Sequence, residues 1–183
     1  NHSRKNMTED QLEQEALGWL AEVGYDTLFG PDIAPDGDSA ERANYQQVLL
    51  PFRLREAIHR LNPDIPTAAR EDALKQVLDL GIPALLSANR QFHKLLVGGV
   101  PVEYQKDGET RGDFVRLIDW SNPGKNKWLA INQFSIKGPH QTRRPDIVLF
   151  VNGLPLVLLE LKNPADEAAD IWKAYDQIQT YKE

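Results

Sequence analysis

The dipeptide Asn152-Gly153 lies between two apolar runs, and this feature constrains the fold of the chain more than any other. The runs fall within residues 147–161, and the dipeptide between them favours a tight β-turn. Strands this apolar are normally buried in a sheet. Ionisable residues nevertheless bound them, with Asp146 before the first run and Glu160 and Lys162 at the end of the second. The sequence therefore predicts a buried hairpin with charged groups at its open end.

Those charged groups need partners, because burying a charge costs free energy unless it is paired or bound to a metal. Asp146 and Glu160 offer the oxygen ligands that Mg²⁺ prefers, and a bound Mg²⁺ activates water for attack on a phosphate. Lys162 would then hold or orient that water, or stabilise the charge on the pentavalent phosphate, and the sequence leaves both roles open. The alternative is an ion-pair cluster at the end of a hairpin.

The metal site requires its side chains to share one face of the hairpin. If Asn152-Gly153 alone formed the loop, Asp146 would lie opposite Leu159, and Glu160 would point to the other face. We therefore expect either an odd-length loop that includes Val151 and has a left-handed Gly153, or a bulge within the hairpin.

The rest of the chain divides into a helical first half and a strand-rich second half. Capping signals, apolar spacing and terminating glycines or prolines predict helices over 8–24, 39–62 (with a break or new start at Pro51), 67–80 and 85–97. Alternating or apolar patterns predict strands over 100–104, 114–118, 128–136, 146–151 and 156–162, followed by a helix over 166–181. This order indicates an α/β (α+β) fold, with a central mixed sheet flanked by helices.

Composition narrows the class of protein. The chain has no cysteine, which excludes disulfides and cysteine zinc sites and suggests the cytoplasm. Its most apolar stretch is interrupted and shorter than the about 20 residues that cross a bilayer, so no membrane partner is expected. A net charge of −6 argues against tight DNA binding by this chain alone. We expect residues 1–6 to be a remnant of cloning and residues 7–183 to form one domain.

Several motifs together resemble a known family. Pro145-Asp146 and Glu160-Leu161-Lys162, separated by an apolar hairpin, match the signature of PD-(D/E)xK nucleases. Gln177 and Tyr181 match the Q-x-x-x-Y element of some of these nucleases, in which a spacing of four puts both side chains on one helix face. The fuller set adds Thr8 to Glu13, Gly24-Tyr25, Asn132-Gln133-Phe134, Arg143-Arg144 and Val151 to Pro155. With these, the chain resembles the N-terminal endonuclease domain of the type I restriction enzyme R (motor) subunit.

The resemblance implies Mg²⁺-dependent cleavage of double-stranded DNA within a complex that contains methyltransferase and specificity subunits. ATP would be used by motor domains of the same full-length subunit, because this chain has no G-x-x-x-x-G-K-[ST] loop. Gln177 and Tyr181 would position DNA or Lys162, although a solvated helix face is the alternative for both. Glu13, preferred over Glu9, would be the first-helix carboxylate that completes the site, unless it is simply a solvated charge.

Two other functions compete with this one. A non-cleaving module could keep the nuclease fold and serve to dock the motor, but such a module would be expected to lose a catalytic side chain, and Asp146, Glu160 and Lys162 are all present. A nuclease of the same superfamily that acts alone, such as a junction resolvase or a repair exonuclease, is disfavoured by the extended helical first half.

Overall fold

The structure, a computed structural model, describes residues 7–80, 85–162 and 171–180, with the backbone alone for 85–88. The α-helices in these residues are α1 (Glu9–Glu22), α2 (Gly30–Ile33), α3 (Pro51–Leu61), α4 (Thr67–Leu78), α5 (Leu85–Gly98) and α6 (Ile171–Thr180). The strands are β1 (Asp26–Phe29), β2 (Val100–Lys106), β3 (Glu109–Val115), β4 (Trp128–Asn132), β5 (Ile136–Lys137), β6 (Thr142–Arg143), β7 (Ile147–Val151) and β8 (Leu154–Leu159). A single 3₁₀ turn spans Pro123–Lys125.

The chain forms two compact units, interleaved in sequence. Unit 1 contains the described residues of 1–48, 128–150 and 155–183, and unit 2 contains those of 49–127 and 151–154. Most of the hairpin that the sequence singled out therefore lies in unit 1, while its tip belongs to unit 2.

Unit 1 is built on a sheet of four strands in the order β1-β4-β7-β8. Strands β1 and β4 are parallel, with Asp26 paired to Leu129 and Phe29 to Asn132, whereas a two-residue turn joins β7 to β8. Helix α1 packs against the sheet through a buried cluster of Ala16, Leu17, Ala130 and Ile147. Helices beside a mixed sheet confirm the α+β class that the sequence predicted.

Helix α1 begins as the sequence predicts. The Thr8 hydroxyl accepts a hydrogen bond from the Gln11 backbone N–H at 3.2 Å, and the Gln11 side chain accepts one from the Thr8 N–H at 3.0 Å. This reciprocal capping box satisfies two backbone donors that the first turn leaves without helical partners.

The helix predicted over 39–62 is wrong in its first half, because only Pro51–Leu61 is helical. Arg42, 3% exposed, explains the irregular segment. Its guanidinium donates to the backbone carbonyls of Tyr45, Gln47 and Ser135 at 2.7–2.9 Å. A helix would use the first two carbonyls for its own hydrogen bonds, so the arginine stabilises a loop instead. Burial also lowers the pKa of the Arg42 guanidinium.

Unit 2 combines helices α3 and α4 with the antiparallel hairpin of β2 and β3. The pairing of Lys106 with Glu109 leaves Asp107-Gly108 as a two-residue turn. Both turn residues have positive φ, 55° and 80°, which is the conformation that matches the twist of such a hairpin. The second strand covers 109–115 rather than 114–118.

The tip of the β7–β8 hairpin is buried in unit 2. Asn152 is 1% exposed, and its side-chain oxygen accepts from the Lys127 N–H at 2.9 Å while its side-chain nitrogen donates to the Leu117 carbonyl at 2.9 Å. Gly153 lies so close to α3 that an added Cβ would be 2.6 Å from the Leu50 carbonyl oxygen. The hydrogen bonds of the Asn152 side chain therefore hold the turn in place, and glycine at 153 lets the turn approach α3 closely.

Other boundaries differ from the predictions. Strand β1 was not predicted, β4 ends at Asn132 instead of continuing to 136, and β8 ends at Leu159, so that Glu160 and Lys162 follow the strand. The last helix is described over Ile171–Thr180, and the remainder of its predicted range lies outside the described residues. None of the helices in the described ranges is long and apolar enough to cross a membrane.

Candidate active site

The hairpin turn corrects one sequence expectation. Strand β7 ends at Val151 and β8 begins at Leu154, so Asn152-Gly153 alone forms the loop. Their φ angles of 52° and 81° are both positive, as in the tight turns that join two antiparallel strands through two residues. The predicted odd-length loop that includes Val151 is therefore wrong. If Asp146, Glu160 and Lys162 lie on one face of the hairpin, an irregularity within a strand has to place them there.

The packing of leucines shows that the side-chain alternation shifts along β8. In an uninterrupted hairpin with this loop, Ile147 would lie opposite Leu158, and Leu159 and Leu161 would point to the other face. Instead, Leu159 and Leu161 pack against the same cluster as Ile147. Residues 156–158 are also all exposed, at 37–43%, which breaks the strict alternation of a regular strand. We infer an irregularity within β8, the second of the two expected solutions, which returns Glu160 and Lys162 to the face of Asp146.

A direct contact joins the two sides of the open end. The Asp146 carboxylate Oδ2 accepts a hydrogen bond from the Leu161 backbone N–H at 2.7 Å. Leu161 lies between Glu160 and Lys162, so this bond ties Asp146 to the segment that carries the other two side chains. It also fixes the orientation of the Asp146 carboxylate, which is half-buried.

Gln177, on α6, connects Glu160 with Lys162. Its side-chain oxygen accepts from Lys162 Nζ at 2.9 Å, and its side-chain nitrogen donates to Glu160 Oε2 at 2.9 Å. One amide thus sets the positions of a carboxylate and an ammonium group that lie two residues apart. Gln177 itself is half-buried.

Glu13, on α1, is 7% exposed, so the alternative of a solvated helix charge does not hold for it. Each of its carboxylate oxygens accepts a hydrogen bond from an amide: Oε1 from Asn132 Nδ2 at 2.7 Å, and Oε2 from Gln133 Nε2 at 2.6 Å. The Gln133 backbone N–H in turn donates to the Asp146 carbonyl at 3.1 Å. Glu13 is therefore linked to the start of β7 through a single residue.

Most of the side chains that the sequence selected thus come together in unit 1. Gln177 joins the side chains of Glu160 and Lys162, and the Asp146 carboxylate is bonded to the backbone of Leu161, which lies between those two residues. Glu13 is bonded to the Gln133 side chain, and the Gln133 backbone is bonded to that of Asp146. Tyr181 lies outside the described residues. No role was predicted for Asn132 and Gln133 in the site, because the predicted strand continued through both to residue 136, whereas β4 ends at Asn132.

The donor set at this site fits a hard divalent cation. Asp146 and Glu160 are carboxylates, and Mg²⁺ is typically held by one or two carboxylates, with water and phosphate oxygens completing its coordination. No group of three His, Asp or Glu side chains arranged to hold a metal occurs within residues 7–80, 85–162 and 171–180.

The fold and the site define an α+β domain in which a β-hairpin presents an aspartate, a glutamate and a lysine at its open end. Comparison with known proteins places this domain more narrowly. The family model described as "Type I restriction enzyme R protein N terminus" matches residues 6–183. The chain belongs to this family, which confirms the resemblance noted in its sequence.

Two relatives illustrate the relationship. The chain is 39% identical over 178 residues to the type I restriction enzyme HindI endonuclease subunit of Haemophilus influenzae, an alignment that covers 97% of the chain and 17% of that protein. It is 32% identical over 156 residues to the putative type I restriction enzyme MjaIXP endonuclease subunit of Methanocaldococcus jannaschii, covering 84% of the chain and 15% of that protein. The chain therefore corresponds to about one sixth of the length of these relatives.

Proposed function

We propose that this chain is the DNA-cleaving domain of a type I restriction endonuclease subunit and hydrolyses phosphodiester bonds of double-stranded DNA in a Mg²⁺-dependent reaction. The observation that carries the proposal is that Gln177 bonds both Glu160 and Lys162, while the Asp146 carboxylate is bonded to the backbone of Leu161 between them. Membership of the restriction family supports it independently.

Asp146 and Glu160 are the residues that would hold the cation. When bound, Mg²⁺ supplies Lewis acidity: it activates water and offsets negative charge on the reacting phosphate. The hydrogen bond from the Leu161 N–H to Asp146 Oδ2 restrains one of the two carboxylates in advance. Such restraint reduces the cost of organising the site when the substrate arrives.

Lys162 supplies the positive charge of the site. Its ammonium group, held by Gln177 Oε1 at 2.9 Å, would orient the attacking water or stabilise the negative charge that builds up on the phosphate oxygens. Gln177 also donates to Glu160, so one amide is bonded to both the lysine and the carboxylate proposed to bind the cation. In this proposal Gln177 is a positioning residue that sets the lysine against the metal site.

DNA affinity has to come largely from elsewhere, because the chain carries a net charge of −6. We propose that motor domains of the full-length subunit, together with methyltransferase and specificity subunits, deliver the DNA to this domain. ATP would be consumed by those motor domains, and the cut would be placed wherever they present the duplex.

Cleavage by the full-length subunit, assembled with its methyltransferase and specificity subunits, tests this function. We expect Asp146→Ala and Glu160→Ala each to reduce plasmid cleavage by about a thousandfold, because losing a cation ligand removes several kcal/mol of transition-state stabilisation. ATP hydrolysis should stay at the wild-type level. Asp64→Ala, which removes an exposed carboxylate from unit 2, is the matched control and should leave both activities unchanged. Cleavage retained by the Asp146 and Glu160 variants would exclude the proposed site.

A further inference from the structure

Gln133 has a backbone conformation that is uncommon for its residue type. Its φ is 54°, in the left-handed region, where a residue other than glycine typically costs about 1 kcal/mol or more. Gln133 directly follows the last residue of β4, Asn132. Strain of this kind persists only where surrounding contacts maintain it, and it is concentrated at functional sites.

Contacts on several sides hold Gln133 in this conformation. Its N–H donates to the Asp146 carbonyl at 3.1 Å, and its side-chain amide donates to Glu13 Oε2 at 2.6 Å. Gly30 closes the other side, because a Cβ there would lie 2.7 Å from the Asn132 carbonyl oxygen and would also collide with that of Gln133. The left-handed conformation therefore lets Gln133 bond both to the Asp146 backbone, just before β7, and to the buried Glu13 carboxylate.

Asn132 provides the second hydrogen bond to the Glu13 carboxylate. The Asn132 side chain is buried, with the residue 4% exposed, and its Nδ2 donates to Glu13 Oε1 at 2.7 Å. Asparagine and glutamine amides are neutral, so the two donors fix the direction of the carboxylate without adding a positive charge to cancel its own. A buried, oriented carboxylate of this kind is suited to act on a nearby cation.

We propose that Asn132 and Gln133 are positioning residues of the active site, which hold the Glu13 carboxylate where its charge favours cation binding beside Asp146. This inference rests on the proposed function. In this role Glu13 acts on the cation through an ordered water or through its charge. An outer group such as Glu13 contributes to metal affinity although it does not touch the metal. Asn132 and Gln133 affect that affinity through Glu13.

Titration of the 183-residue chain with Mn²⁺, measured by calorimetry, tests this assignment. We expect Gln133→Ala and Asn132→Ala each to weaken Mn²⁺ binding by about tenfold. Glu13→Gln should weaken it by a similar or larger factor. In the double variant Glu13→Gln with Gln133→Ala, binding should be no weaker than in Glu13→Gln alone, because Gln133 acts only through Glu13. In the assembled enzyme, the Mg²⁺ concentration for half-maximal cleavage should rise for Gln133→Ala, while ATP hydrolysis is unchanged.

If Gln133 had a purely structural role, the Mn²⁺ affinities of these variants would differ in another way. The effect of Gln133→Ala would then persist in the Glu13→Gln background, and its size would follow the loss of thermal stability measured without metal. Either result, or unchanged Mn²⁺ affinity in Gln133→Ala, would overturn the assignment while leaving the proposed function in place. If Asp146→Asn also binds Mn²⁺ as the wild type does, the proposed function fails together with it.

Discussion

Replacement of Lys162 with methionine is expected to reduce plasmid cleavage by the assembled enzyme by about 100- to 1,000-fold, the cost of removing one preorganised charge-stabilising group. Methionine keeps much of the length of the side chain but removes the ammonium group that Gln177 Oε1 holds at 2.9 Å. Under the proposed function, this removes the cationic group assigned to the attacking water or to the developing charge on the phosphate. Rates of plasmid linearisation, measured beside rates of ATP hydrolysis, give the result.

One further variant tests whether the position of the Lys162 charge matters as well as the charge itself, and a second serves as a control. Lys162→Arg keeps the charge but replaces a compact ammonium with a planar guanidinium, so its activity should fall between those of Lys162→Met and the wild type. Lys75→Met removes an exposed lysine from α4 and should leave cleavage unchanged. Wild-type cleavage by Lys162→Met would show that Lys162 has no part in the reaction.

The second large effect is expected at the other end of the hairpin. Gly153→Ala should lower the free energy of unfolding by about 3 kcal/mol or more, from left-handed strain and from overpacking. Gly153 has a φ of 81°, and a Cβ there would be 2.6 Å from the Leu50 carbonyl oxygen and 2.9 Å from the Leu54 nitrogen. Both are backbone atoms of or next to α3, so the clash cannot be relieved by a side-chain rotation. Chemical denaturation of the chain measures the loss.

Gly108→Ala is the matched control for this prediction. Gly108 occupies the same second position of a two-residue hairpin turn and has a φ of 80°, but a Cβ there would meet nothing within 4 Å. Its substitution should cost only the conformational strain, about 1–2 kcal/mol. Equal losses for the two variants would show that the contact of Gly153 with α3 does not matter for stability.

The parts of the structure that the sequence predicted are those determined locally. The Thr8 N-cap starts α1, and the hairpin turns at Asn152-Gly153, because each depends on residues adjacent in sequence. The odd-length loop offered for that turn is wrong, since two residues alone form it. The grouping of Asp146 with Glu160 and Lys162 followed from the hairpin, since a turn brings the ends of its two strands together. The α+β class followed from the order of the elements.

The sequence predictions were wrong or incomplete where contacts between residues far apart in sequence determine the local structure. Arg42 prevents a helix before Pro51 through bonds that include one to Ser135, 93 residues away. The change in which β8 side chains face the core depends on which leucines pack against α1. The residues of the turn do not contain that information. Glu13 and Gln133 are 120 residues apart, so their hydrogen bond could not be inferred from either segment alone.

The central claim is that Asp146 and Glu160 hold a divalent cation at the open end of the hairpin. Anomalous diffraction from a crystal of this chain soaked in Mn²⁺ tests it most directly. We expect a peak between the two carboxylates, within about 2.5 Å of an oxygen of each, that disappears in crystals of Asp146→Asn. A fully soaked crystal with no peak there, or a peak that survives in Asp146→Asn, would contradict it.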